Sequence, residues 1–404
     1  MFKFTSLFFL VMFMIGTDTF LISPLLPTLQ AEFGVRTDDA GWMLAAYTLG
    51  SAVFALIAGP LSDGWNRRTV MLCGLVAFSL STALCGFADS FWTMCLLRFA
   101  AGVSAAFTAP QVWAAIPAVM PAHRIAKTMG VAYAGLAASQ ALGVPIGSWL
   151  AAGGWSVPFW TIGAASLLLA VFVYRHLPGM PPAADARTLG LIFRRYVPLI
   201  RSVRARAGFL AYLLLHLGGG TAFAFAGKWM SDRFGLPVGQ IGTAMLFLGL
   251  GNLLGSMVSA YASRRLGPSR AVCAGMALLV VLYTILPRLP HLAVATACYF
   301  VIFTILGILF PIIMGALTSL NATLRGTISS LANATMNGAN TLGAWIAGLL
   351  YVQLGGYAPI GVFASVCLAL SLATFLLGGV LGGRTKSSDR HNGSVTRPAS
   401  SSES

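Results

Sequence analysis

One pattern limits this chain more than any other: long apolar runs broken by short polar turns recur twelve times along its 404 residues. A bilayer core about 30 Å thick is crossed by a helix of about 20 apolar residues. Runs of that kind read as spans over 4–27, 40–60, 70–88, 92–117, 128–151 and 156–176, then 207–230, 238–262, 270–287, 292–318, 328–352 and 357–381. Only 9% of residues are charged, against roughly 25% in a soluble domain. That is too few to cover a water-facing surface, so lipid is the solvent for most of the chain. The fold class expected is an all-α membrane protein, with twelve transmembrane helices in two six-helix pseudo-symmetric halves.

Residues 1–176 read as the N-terminal half and 207–381 as the C-terminal half. Between them, 177–206 reads as a basic cytoplasmic linker with six arginines; 382–404 reads as a polar, Ser-rich, disordered cytoplasmic tail. Paired six-span halves are a transporter plan. The first apolar run follows Lys3 without a small-residue cleavage site, so it reads as a retained span and not a signal peptide.

The net charge of +15 does not describe a nucleic-acid surface, because the charges sit in short turns between spans. They describe a topology instead. With the N-terminus in the cytoplasm, 20 of the 25 basic residues fall inside, and only Arg36, Lys228, Arg233 and Arg288 outside. Both termini are therefore expected in the cytoplasm, with the protein in a plasma membrane (a bacterial inner membrane). The six cysteines all lie in apolar runs without metal-ligand or CxxC spacing, and no GxxxxGK[ST] phosphate loop occurs. Neither metal nor cofactor is expected, and an enzyme is the least supported class.

Of ten acidic residues only Asp18 lies well inside a span. A charged residue there costs roughly 2.5–3.5 kcal/mol on insertion scales and marks ion or proton pathways. Arg98 is the one basic residue within a span, and at 1.5 Å per residue both sit roughly 10–14 Å below the same surface. Span 5 sets Gly135, Ser139, Gly143 and Gly147 in i+4 steps beside Pro145. Small residues allow close helix approach and the proline bends the helix, which suggests a hinge or sliding seam between the halves. Span 11 carries an amide stripe, Asn333, Asn337 and Asn340. With Tyr47, Gln111, Trp113, Tyr133, Gln140, His216 and Asn252 it supplies candidate linings for a cavity that takes a small-molecule substrate.

These residues resemble a known family. Gly59-Pro-Leu-Ser-Asp63-Gly-Trp-Asn-Arg67-Arg68 is similar to the loop 2–3 signature of the major facilitator superfamily. Asp18 with Pro24-Leu-Leu-Pro27 resembles the first-helix motif of its twelve-helix drug:proton antiporters, and Leu97-Arg98-Phe-Ala-Ala-Gly102 the fourth-helix motif. Gly135 through Gly143-Val-Pro145-Ile-Gly147 looks like the fifth-helix motif. That motif usually carries Gly before its proline and a closing Gly pair, whereas Val144, Ser148 and Trp149 stand here, as in sugar, nucleoside and chloramphenicol exporters. The resemblance implies a monomeric, proton-coupled exporter of small organic molecules, of the multidrug-resistance kind. Asp18 and Arg98 would couple protons, and Gly59, Asp63, Arg67 and Arg68 would form an inner gate. Asp63 would sit at the N-terminus of span 11, where a helix dipole favours an anion. An importer or passive facilitator of the same fold, or a non-transporting membrane sensor, are the alternatives.

Overall fold

The computed structural model describes residues 2–62, 65–180, 196–321 and 325–380. Asp63 of the expected gate, the middle of the expected linker and the expected tail lie outside the described residues. Twelve long helices make up the described chain. The first six are α1 (Phe2–Phe33), α2 (Trp42–Ser62), α3 (Arg67–Cys85), α4 (Phe91–Val119), α5 and α6 (Val157–His176). Of these α5 is composite: Ala122–Ala138, a π-helical turn over Ser139–Gly143, then Val144–Ala151. The second six are α7 (Val203–Ala224, resuming after a break as Ala226–Phe234), α8 (Val238–Leu266), α9 (Pro268–Ile285), α10 (Leu292–Thr318), α11 (Arg325–Gln353) and α12 (Ala358–Leu377).

Eleven of these are long and apolar enough to cross a membrane. The twelfth, α11, has 29 residues, but its Asn, Ser and Thr content keeps it out of that set. The same residues that form its amide stripe lower its hydropathy, so helix length identifies the span where composition alone does not. Helix α7 starts at Val203, four residues before the expected start of the seventh span.

Local chemistry sets the ends. The Asn66 side chain accepts from the Arg68 N–H, Ser90 from Thr93 and Ser202 from Ala205, capping α3, α4 and α7. Gly235 ends the second piece of α7 at φ 65°, a left-handed conformation that glycine adopts without strain. In α5 the π turn directly precedes Pro145. Proline has no N–H for the carbonyl four residues back and its ring crowds that carbonyl; widening the preceding turn relieves the conflict.

Within each half the tightest seams rest on glycine. A Cβ on Gly50 of α2 would lie 2.4 Å from the Phe99 carbonyl oxygen of α4. On Gly251 of α8 it would lie 2.4 Å from the Phe300 carbonyl oxygen of α10. Phe99 and Phe300 are each the ninth residue of their helix, so the two halves repeat this contact in register. Between the halves, α2 packs on α11, α5 on α8 and α1 on α7.

Candidate functional site

The N-terminal half buries a charge pair at its centre. Arg98 Nη1 lies 2.8 Å from Asp18 Oδ2, with neither side chain exposed at all. Arg98 Nη2 donates to the backbone carbonyl of Asp18 at 3.1 Å. The guanidinium carbon stands 4.5 Å from the centroid of the Tyr47 ring. The Tyr47 hydroxyl in turn lies 3.0 Å from that of Thr19. Two atoms of this cluster are buried without a hydrogen-bond partner, Asp18 Oδ1 and Arg98 Nε. Taking two charges out of water costs several kcal/mol per ion before their attraction offsets it. Leaving a carboxylate oxygen unsatisfied adds to that.

The i+4 glycines of α5 do not face the other half. A Cβ on Gly135 would lie 2.4 Å from the Phe9 carbonyl oxygen, on Gly143 1.9 Å from Thr17 Oγ1, and on Gly147 2.6 Å from Leu21. All three partners are on α1. The seam is thus internal to the N-terminal half and brings α5 against the helix that carries Asp18. The expected seam between the halves uses the adjacent face of α5. There a Cβ on Gly242 of α8 would meet Ser148, and one on Gly249 would meet Ala141. The i+4 period identifies a close-packed face but not which neighbour it packs on.

The end of the bundle away from the 177–206 segment is sealed across the halves. Ser23 Oγ donates to the Phe223 carbonyl at 2.6 Å. The Thr48 and Thr341 hydroxyls lie 2.8 Å apart, and Trp149 Nε1 donates to Thr243. Phe20 meets Phe223 edge-on at 5.8 Å, and Phe223 meets Phe303 at 5.9 Å. Gly41 and Gly348 lie so close to the Ala344 and Asp38 carbonyls that neither has room for a side chain. Between the rings and Gln140, Val144 and Met245 a cavity of about 10 Å³ remains, no more than one water needs.

The expected cavity residues divide into several settings. Asn252 Nδ2 donates to Gln140 Oε1, joining the halves. Tyr133 stacks on Phe310 across the halves, at 5.5 Å and 18°. His216 packs edge-on against Tyr212 at 4.5 Å, and its Nε2 is buried without a partner. Gln111 is buried with Oε1 unpartnered, and Trp113 is half-buried. Asn337 donates to Asn333 Oδ1 at 2.9 Å, and Asn340 packs on Gly220 of α7. Tyr47 belongs to the ion-pair cluster. Of the expected gate, Gly59 is in the last turn of α2 and Arg67 opens α3. Arg68 donates to the Tyr174 carbonyl and lies over the Tyr174 ring, on α6 of its own half.

Sequence reading missed Ser23, Phe20, Phe223, Phe303 and Phe310, whose types are ordinary for apolar runs. It also missed the link between Tyr47 and Arg98. Gly102, four residues after Arg98, was the available signal for a close approach there. All six cysteines are free, and no group of metal-binding side chains occurs among the described residues.

Two six-helix bundles meeting along a partly polar seam, with an ion pair buried in one of them, define a polytopic membrane transporter. The family profile described as Major Facilitator Superfamily matches residues 8–337 and 208–401, and the chain belongs to that family. It is 47% identical over 369 residues to an uncharacterised MFS-type transporter, YceJ, of Bacillus subtilis, covering 91% of this chain and 94% of the relative. It is 26% identical to a chloramphenicol resistance protein of Streptomyces lividans, covering 66% of this chain and 68% of that one. A quinolone resistance protein, NorA, of Staphylococcus aureus matches at 30% identity over 39% of this chain and 40% of its own length. Among solved structures, a bacterial homologue of the human lysosomal transporter Spinster in an inward-facing, occupied conformation superposes with a TM-score of 0.74. It is 15% identical and covers 93% of this chain and 96% of its own; that likeness concerns the fold.

Proposed function

We propose that this transporter exports small organic molecules in exchange for protons by alternating access. The observation that carries the reading is the fully buried pair of Asp18 and Arg98, with Asp18 Oδ1 left unpartnered. An intramembrane carboxylate held by a cation is stable while ionised. It changes its interactions at once when it takes a proton, so proton binding becomes a bias between conformations. The drug-resistance names of two relatives favour the outward direction, and the basic-residue asymmetry supports a cytoplasmic 177–206 end.

In this reading the structure, with its far end sealed and the ion pair formed, is the state that has released its proton inward and awaits cargo. Opening the far end separates Ser23 from Phe223 and exposes Asp18 to protons from outside. Neutral Asp18 loosens Arg98, cargo leaves, and closure returns the proton to the cytoplasm. Gln140, Asn252, Tyr133, His216 and the α11 amides supply an amphipathic lining that suits an uncharged or amphipathic molecule. The α5 glycines let α1 move against α5, and Gly59, Asp63, Arg67 and Arg68 form the cytoplasmic gate.

The test is uptake into inside-out vesicles under an imposed pH gradient, screened over sugars, nucleosides and drugs. Accumulation that follows the gradient and is lost in Asp18→Asn, with the protein still inserted, supports the proposal. Undiminished accumulation by Asp18→Asn contradicts it.

A further inference from the structure

The guanidinium of Arg98 keeps its charge whatever Asp18 does, because arginine does not release its proton inside proteins. It is the largest fully buried side chain among the described residues. Its carboxylate partner is one hydrogen bond on one oxygen, and its Nε has no partner. Once Asp18 is neutral, Arg98 is left as a buried cation without a counter-charge, which is among the costliest arrangements in a low-dielectric interior. Nη2 keeps its bond to the Asp18 backbone carbonyl, and a side chain beside it also offers negative potential. The face of the Tyr47 ring lies 4.5 Å from the guanidinium carbon, and a desolvated cation over an aromatic face is held most strongly.

The ring is fixed for that task from both ends. At the backbone, a Cβ on residue 102 would lie 1.9 Å from the Tyr47 carbonyl oxygen, so only glycine there lets α2 approach α4 this closely. At the tip, the Tyr47 hydroxyl meets Thr19, the neighbour of Asp18 on α1. Tyr47 is 2% exposed, too enclosed to line an open cavity in this state.

We propose that Tyr47 is a positioning residue that keeps the Arg98 guanidinium in the core of the N-terminal half while Asp18 is neutral. This rests on the reading of Asp18 as the proton carrier. The titratable groups around the pair are Arg98 and Cys95 on α4, Tyr47 on α2 and Cys85 on α3. Among the described residues, α5 and α6 bring no further charge to Asp18.

A double-mutant cycle on the purified full chain needs no known substrate. Tyr47→Leu and Tyr47→Phe are each made in the wild-type and Asp18→Asn backgrounds, and thermal unfolding is followed. Tyr47→Leu lowers the midpoint in both, with a further fall of about 2 °C or more in Asp18→Asn. Tyr47→Phe keeps the ring face and loses only the Thr19 contact, so it lowers the midpoint by the same small amount in both backgrounds. Equal losses for Tyr47→Leu in the two backgrounds, or Tyr47→Phe as harmful as Tyr47→Leu in Asp18→Asn, overturn the proposal.

Should the double variant not fold, Tyr47→Leu alone is compared with wild type from mildly alkaline to acidic pH. A penalty that widens as the pH falls supports the proposal, and a constant penalty overturns it. When the cycle is available, coupling there with a constant penalty across pH supports the positioning role and overturns the proton reading of Asp18. The two failures are thereby told apart.

Discussion

The two halves anchor their centres differently at the same helical position. Arg98 is the eighth residue of α4 and Tyr299 the eighth of α10. In the N-terminal half that position holds a cation against a carboxylate on α1. In the C-terminal half the Tyr299 hydroxyl lies 2.6 Å from that of Tyr357, which donates to the Ala222 carbonyl on α7 at 2.6 Å. Trp229 stacks on Tyr357 at 4.9 Å. Ala222 lies in the last turn before α7 breaks at Phe225, where helix carbonyls take partners from outside the helix, and the tyrosine supplies one. One centre is ionic with an unsatisfied oxygen, and the other is neutral with its hydroxyls paired. In the proposed function the same fold element serves as a titrating device in one half and as fixed scaffolding in the other.

The largest effect expected from breaking this contrast is at Arg98. Arg98→Leu strands the Asp18 carboxylate, and removing one partner of a buried pair costs about 3–5 kcal/mol. Thermal unfolding at neutral pH should show a loss that diminishes on acidification, since a protonated Asp18 no longer needs the cation. A loss independent of pH would place the damage in packing instead.

Next is Gly102→Ala. Its Cβ meets a backbone oxygen, which cannot rotate away, and overpacking of this kind costs about 1–3 kcal/mol. Gly219→Ala on α7 is the control, because a Cβ there has nothing within 4 Å. That change should be neutral or stabilising by up to about 1 kcal/mol. Comparable losses for the two, measured by thermal unfolding, would refute the close approach of α2 to α4.

Tyr299→Phe in the neutral centre should cost about 1 kcal/mol, the net worth of an ordinary hydrogen bond, with no dependence on pH. Ser23→Ala removes one bond between the halves, and about 1 kcal/mol is roughly a fivefold change in a two-state population. Spin-label distances across the far end should shift towards the open state in that variant, and unchanged distances would show that Ser23 is no latch. Smallest is Lys228→Ala, whose partner Asp232 is 40% exposed. Surface pairs contribute about 0–1 kcal/mol, and Asp232 also accepts from Tyr351.

Much of the architecture was legible in the sequence, because lipid punishes error. A bilayer demands long apolar runs and confines charge to their ends, so run length and arginine placement suffice to count the helices. The same penalty made Asp18 and Arg98 conspicuous, and helical rise alone set them at one depth. Which neighbour a helix face meets was not legible. The α5 glycines were read against the other half and pack on α1, since a spacing reports periodicity on one helix and says nothing of its partner. Tyr47 was read as cavity lining and lies enclosed against Arg98, because an aromatic in an apolar run looks the same in either place. Helix α11 shows the reverse case: its amides are visible in the sequence, yet Asn337 and Asn333 bond each other along the helix.

In the proposed function the ionic centre changes its protonation while the neutral centre does not. Difference infrared spectroscopy of the purified transporter, taken as the pH is lowered, tests it most directly through the carbonyl stretch of a neutral carboxylic acid. A band from a buried, protonated carboxyl is expected in wild type, absent in Asp18→Asn and unaltered in Tyr299→Phe. Identical spectra for wild type and Asp18→Asn would contradict it.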